Sequence, residues 1–275
     1  MTPLARQGGL AAIARARLAA DGPMPSGPLA REVLGLARVD ESVAERLVGT
    51  LLGGNSAFER TGDGHWRLTP FSSAGAARSL REIPFVVVDV ETTGGRPPGD
   101  RVTEIGAVRV RAGRVEGEWS SLVNPGRPIP SFVSRLTGIH DATVTGAPPF
   151  GAVADAFLEF LGGAAFVAHN ARFDWRFVNA ELLHARGGRL TNARLCTVRL
   201  ARRLLPHVKR RNLDALAWLF GIEIPGRHRA LPDARATARI LLALLDVAEE
   251  RGVRDELGLA ALAGVEGTLW PAGPY

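Results

Sequence analysis

The chain has one cysteine, Cys196, so it forms no internal disulfide and no cysteine-rich zinc site. A lone thiol accords with a reducing, cytoplasmic setting. No apolar run approaches the roughly 20 residues that a membrane span requires. The N-terminal stretch has an apolar face, but Arg6, Arg15 and Arg17 interrupt it, so it holds no signal-peptide core. Lysine is almost missing: Lys209 is the only one among 34 lysines and arginines. Tyr275 is the single tyrosine and Gln7 the single glutamine. What is there fits a globular chain. Its 275 residues are 46% hydrophobic and 23% charged, which argues against wholesale disorder and allows one large domain or two smaller ones. The net charge of +6 and pI near 10.9 lean towards a polyanionic partner. A GC-rich coding sequence would give the same arginine-rich composition, so charge alone leaves the matter open.

Residues 1–69 read as a small domain. Leu10, Ile13, Ala14 and Leu18 lie on one face of a helix over Gly9–Ala20. A second helix is expected over Pro28–Leu36 and a third over Glu41–Leu52, ended by Gly53 and Gly54. Gly62-Asp63-Gly64 then reads as a hairpin turn between two short strands. Three helices and a hairpin resemble a winged helix-turn-helix. The third helix carries Glu41, Glu45 and only Arg46, which makes a poor reader of base edges. Arg60 and Arg67 on the hairpin remain as phosphate contacts, and a docking role for this domain stands beside DNA binding. Residues 70–82 read as a linker and 251–275 as a C-terminal tail.

From residue 83 the pattern changes. Ile83–Val90 is a continuous apolar run of strand length, buried on both faces. Strands over Val102–Val110 and Arg114–Val123 follow, and then helices alternate with short strands. This order implies an α/β fold: a mixed sheet with helices on its faces.

Three acidic fragments stand out. Asp89 and Glu91 are two apart at the end of the first strand, so their side chains point the same way. Asp174 falls in the first turn of a helix, in His169-Asn170-Ala171-Arg172-Phe173-Asp174. Asp233 lies just after Pro232 at another helix start, five residues beyond His228. Taken singly, each has an ordinary reading as a strand end, a macrodipole partner or a surface histidine.

In this order the fragments DVETTG (89–94), HNARFD (169–174) and HRALPDA (228–234) resemble the DEDD exonucleases, in the histidine-bearing DEDDh branch. The chain is similar to the proofreading epsilon subunit of bacterial DNA polymerase III and to the exonuclease region of Gram-positive replicative polymerases. Thr103–Gly106, Leu136–Ile139 and Asn212–Leu216 supply further landmarks, so the resemblance covers roughly residues 83–246. It implies an RNase H-like fold with a mixed five-stranded sheet in a domain over 83–250.

The resemblance also implies a site. Asp89, Glu91, Asp174 and Asp233 would hold two divalent cations, Mg2+ or Mn2+, with Asp89 bridging them. His228 would be the general base; an unperturbed imidazole, with a pKa of about 6.5, suits the role. The tyrosine-bearing sister branch does not fit, since Tyr275 is the only tyrosine. Thr92, Thr93, Leu136, Thr137, Asn170 and Phe173 are the expected substrate contacts, and Glu104 a support behind the metal ligands. Arg186, Arg189, Arg194, Arg199, Arg202, Arg203, Lys209, Arg210 and Arg211 form an acid-free stretch that could guide a nucleic-acid backbone or simply face solvent.

The expected activity is metal-dependent 3′-to-5′ hydrolysis of DNA, at single-stranded or frayed 3′ ends. It would release nucleoside 5′-monophosphates in proofreading or DNA repair. Exoribonuclease or oligonucleotide-degrading activity is the first alternative, and a non-catalytic nucleic-acid or polymerase-binding module the second. A DNA polymerase or repair protein is the expected partner of the N-terminal domain, in a cytoplasmic, nucleoid-associated setting without membrane contact.

Overall fold

The computed structural model describes residues 3–53, 58–68 and 79–264. These fall into two compact units. One holds the N-terminal residues up to Ser79 together with the C-terminal segment that starts at Arg254; the other is Leu80–Val253.

The first unit has helices α1 (Pro3–Asp21), α2 (Ser26–Leu34) and α3 (Glu41–Leu52), then the antiparallel strands β1 (Phe58–Arg60) and β2 (Trp66–Leu68). Its core is Leu18, Leu29, Val33, Val48, Leu52, Phe58 and Trp66. The Trp66 indole N–H donates to Ser26 Oγ at 3.1 Å, which satisfies its one buried polar group. The hairpin arginines are already paired: Arg60 with Glu45, and Arg67 with Glu59 at 2.6 Å.

The C-terminal stretch read as a tail instead forms a helix, Glu256–Ala263, within this first unit. Asp255 caps it by accepting from Gly258 N–H at 2.9 Å, and Gly264 closes it in the left-handed region. Leu259 and Ala260 are buried. The segment is too short for periodicity alone to reveal, and its partner α1 lies far away in sequence. Most of the expected linker, 70–78, is outside the described residues; Leu80–Glu82 is a 3-10 turn. The last residues, from 265, also lie outside them.

The second unit is built on a five-stranded sheet. Strands β3 (Phe85–Thr92), β4 (Val102–Arg111) and β5 (Arg114–Leu122) form an antiparallel meander. Strands β6 (Ala165–Ala168) and β7 (Arg194–Cys196) add parallel to the other edge of β3, giving the order β5-β4-β3-β6-β7. The β4–β5 turn places Ala112 and Gly113 at φ 51° and 73°, as a tight two-residue hairpin requires.

Strand β3 is central, so its apolar run is buried on both faces. Val86, Val88 and Val90 pack under α6 (Phe150–Leu161) and α7 (Arg172–Arg186), against Phe157, Leu161, Phe177 and Leu182. Phe157 is fully buried, and truncating it to alanine would cost about 3–5 kcal/mol. Alternate residues of β3 point the other way, towards the long helix over Ala230–Glu250 that packs across β3, β4 and β5. Its buried stripe is Ile240, Leu241, Leu244, Leu245 and Ala248.

Between β5 and α6 lie two short helices, α4 (Ser131–Thr137) and α5 (Asp141–Val144). After β7 come α8 (Thr197–Leu204), α9 (Leu213–Leu219), α10 (Ala230–Glu250) and, in the first unit, α11 (Glu256–Ala263). Asn212 caps α9, its side chain accepting from Ala215 N–H. The fold is therefore the expected mixed five-stranded sheet with flanking helices, and it brings the ends of β3, α7 and α10 together.

Candidate active site

Asp89 and Glu91 follow from the pleat. Val90 between them belongs to the α6–α7 core, so both acids face the side covered by α10. On that side, Gly106 of β4 stands opposite Asp89. A Cβ at Gly106 would lie 2.5 Å from the backbone nitrogen of Leu231. Only glycine lets the first turn of α10 come this close to the sheet. That approach delivers Asp233, and ligand oxygens of Asp89, Glu91 and Asp233 lie within 4.8 Å of one another.

Asp174 arrives from α7. It is 3% exposed, and its Oδ1 accepts from the Val90 N–H at 3.2 Å. It lies outside the tight trio, yet its charge acts on Asp89. Burial, reinforced by Asp174, Glu91 and Asp233, pushes the Asp89 carboxyl well above the usual range. Burial and the charges of Asp233 and Glu104 push Glu91 up to about 8. Burial pushes Asp174 up to about 7, and it raises Asp233 against the opposing pull of Arg227. Such carboxylates ionise together only with positive charge beside them.

One atom tests the fit of a cation directly. Asp233 Oδ1 is buried and has no hydrogen-bond partner. Its Oδ2 accepts from the His228 N–H at 3.3 Å and from Arg227. A buried carboxylate oxygen left bare among other carboxylates is what a hard, oxygen-loving divalent ion would occupy.

His228 is half-buried at the approach to α10, with a left-handed φ of 64°. Its Nδ1 lies 3.3 Å from Arg227 Nη1. Glu104, opposite Glu91 on β4, is buried and accepts the Arg229 fork at 2.9 and 2.6 Å. It also accepts from the Ala230 N–H at 2.9 Å, fixing the first turn of α10.

The acids open into a cavity of about 500 Å³. Asp89, Arg227 and Asp233 are among its lining residues, together with His169, Asn170, Arg202, Lys209 and Arg211. Asn170 is exposed and has a φ of 69°. The His169 ring nitrogen Nδ1 lies 2.9 Å from Thr197 Oγ1, and burial pulls its pKa down to about 4, so the ring is neutral.

The remaining expected contacts divide. Leu136 is 56% exposed at the end of α4 and open to a ligand. Phe173 is half-buried, its ring 4.8 Å from that of Phe177, and packs on the core. Thr92 is buried, with its hydroxyl donating to Gly94 O at 2.6 Å. Thr93 is committed to Arg101: its N–H donates to Arg101 O, and its hydroxyl accepts from Arg101 N–H at 3.0 Å. The Thr137 hydroxyl donates to Val133 O and accepts from Ile139 N–H. Thr93 and Thr137 thus shape loops with the very groups a substrate would need.

Sequence reasoning missed Arg227 and His169. Arg227 directly precedes His228, and His169 opens the second motif, so both stood beside residues already singled out.

The exonuclease family model of the RNase T type matches residues 86–241, more than half of the chain. A putative bifunctional exonuclease/endonuclease protein of Mycobacterium tuberculosis is 49% identical over 189 residues, 64% of this chain. The match spans only 28% of that longer protein. The DNA polymerase III subunit epsilon of Aquifex aeolicus is 40% identical over 168 residues, covering 61% of this chain and 83% of the subunit. Among solved structures, Exonuclease X in complex with 5′ overhanging duplex DNA is 28% identical with a TM-score of 0.52, covering 65% of this chain and 99% of that one.

Proposed function

The chain belongs to the exonuclease family, and from that premise we propose that it is a two-metal-ion 3′-to-5′ exonuclease acting on DNA 3′ ends. The observation that carries the reading is the trio Asp89, Glu91 and Asp233, with the bare oxygen of Asp233. Asp89, Glu91, Asp174 and Asp233 would hold the ions, Mg2+ or Mn2+. Bound there, divalent cations activate a water for attack and neutralise charge on the leaving 3′ oxygen.

The chain's own groups do the rest. His228 accepts the water proton on its ring, beside Asp233. Glu104 keeps the α10 start in register, so Asp233 and His228 hold their places. Asn170, Leu136 and Phe173 border the terminal nucleotide. Arg202, Lys209 and Arg211 on the cavity wall receive the phosphates of the strand behind it. The products are a nucleoside 5′-monophosphate and a DNA strand shorter by one nucleotide.

The likeness to an epsilon subunit and to an exonuclease solved with DNA supports DNA as substrate, in proofreading or repair. The first unit, of winged-helix type, docks a DNA polymerase or repair protein. The pairing of Arg60 and Arg67 with glutamates favours this over phosphate binding. A nucleoid-associated site of action follows from the substrate. Among the described residues no helix is long and apolar enough to cross a membrane.

The test is digestion of matched 3′-tailed DNA and RNA with Mg2+, Mn2+ or EDTA. Metal-dependent preference for DNA is expected. Preference for RNA would overturn the substrate, and equal digestion in EDTA would overturn the metal chemistry.

A further inference from the structure

Among the described residues, Trp66 is buried and Trp119 and Trp175 pack on the sheet core, but Trp218 is 84% exposed. It stands near the end of α9, whose Leu213, Leu216 and Ala217 are buried. The adjoining Leu219 is 40% exposed. An indole left in water forgoes the large burial that aromatic side chains ordinarily supply.

The site fixes where this indole lies. Asn212 and Leu213, at the start of α9, line the cavity. Asp214 Oδ1 accepts from Arg227 Nε at 2.7 Å, and the same arginine donates to Asp233 Oδ2. Trp218 is four residues beyond Asp214. It therefore shares that face of α9, one turn or about 6 Å farther along. Helix α9 is pinned at the cavity by Asp214 and carries Trp218 away from it.

The charges nearby favour a polyanion. Asp214 is the only acid of α9 and is paired with Arg227; the next acid, Glu223, follows the turn at Gly221. Ahead of α9, no acid occurs between Glu181 and Asp214. There Arg202 and Lys209 line the cavity, and Arg210 is exposed. A single strand leaving the cavity has phosphates to neutralise and bases to stack. Cations serve the first need and an indole plane the second. Two exposed apolar side chains are too few for the core of a protein interface, which takes roughly 800 Å² from each partner.

We propose that Trp218 stacks on a nucleobase of the single DNA strand leaving the cavity, on the 5′ side of the terminal nucleotide. The proposal rests on the exonuclease reading of the site. It adds a plane that accepts any base, since every base has a π-face, beyond the residues that border the terminal nucleotide.

The experiment follows the first cleavage of 5′-labelled single-stranded DNA by the full-length protein with Mn2+. Trp218→Ala should raise KM at least about fivefold, the lower end of a lost base–aromatic stack. Its kcat should stay within about twofold, because the indole lies outside the acid set. Trp218→Phe keeps a ring and should recover most of the loss. A substrate series then carries a single abasic nucleotide, placed second to sixth from the 3′ end. One position should raise KM for wild type and leave Trp218→Ala unaffected, a coupling that a merely structural role would not produce.

A Trp218→Ala protein with wild-type KM would overturn the proposal, as would abasic penalties equal in the two proteins. Wild-type KM together with a lower sedimentation coefficient would give the face to a second copy of the chain instead. Were the variants to misfold, wild type indifferent to every abasic position would overturn the proposal without them. Wild type that cuts no DNA at all would overturn the exonuclease reading, and the proposal with it.

Discussion

Replacing Gly106 by alanine adds one methyl group at the point where α10 touches the sheet. Its Cβ would lie 2.5 Å from Leu231 N, 2.6 Å from Ala230 C and 2.7 Å from Leu231 Cα. All three are backbone atoms, so no side chain can swing aside. Ordinary carbon contacts are about 3.5–4.0 Å, so the first turn of α10 must withdraw by about 1 Å. Asp233 rides on that turn. Catalytic groups tolerate about 0.5 Å, and a misplacement of about 1 Å can cost roughly 10²-fold in rate. The overpacking itself costs about 1–3 kcal/mol. At about 2–4 °C per kcal/mol, that lowers the melting temperature by a few to about 12 °C.

The control is Ile105→Val. Ile105 faces the opposite side of β4, in the α6–α7 core, and this change costs about 0.5–1.5 kcal/mol. Gly106→Ala should lose nuclease kcat/KM and Mn2+ affinity far beyond its loss of folded protein. Ile105→Val should lose stability alone. A folded Gly106→Ala protein with turnover within about twofold of wild type would refute the reasoning.

The site makes stability depend on pH and on backbone conformation. With Glu91 raised from 4.5 to about 8 and Asp174 to about 7, the folded protein binds protons more tightly than the unfolded chain. Stability from these groups is therefore fully present below about pH 4 and lost as pH rises through 7 to 8. EDTA-treated protein should melt lower at pH 8.5 than at pH 5.5, and Mn2+ should restore it. A melting temperature that climbs with pH in EDTA would contradict the shifts. At Asn170, with φ 69°, Asn170→Ala should destabilise by about 1 kcal/mol, while Asn170→Gly should melt like wild type. Both should raise KM on single-stranded DNA, because both remove the amide; equal destabilisation by the two would show that backbone conformation is not what the position demands.

Much of this was legible beforehand, for physical reasons. The run at 85–88 had to be a central strand, because no edge strand buries both faces. Asp89 and Glu91 had to share a face, because the pleat repeats every second residue. The start of α10 followed from Pro232 in its first turn. The rest depended on distance in three dimensions. The ion pair of Glu104 with Arg229 joins residues 125 apart in sequence. Thr93 and Thr137 read as open hydroxyls until the loops around them revealed their internal partners. The α11 helix was hidden because its burial depends on the opposite end of the chain. Arg227 looked like one more arginine in an arginine-rich sequence; only geometry sets it apart.

The most direct measurement is a time course on 5′-labelled single-stranded DNA, comparing wild type with Asp233→Asn at equal folded fraction. The change keeps size and shape but removes the charge at the bare, buried oxygen. Wild type should shorten the strand from its 3′ end one nucleotide at a time, releasing nucleoside 5′-monophosphates only with Mg2+ or Mn2+, and the variant should be nearly inert. Undiminished digestion by Asp233→Asn, or internal cuts in place of a ladder, would contradict the account.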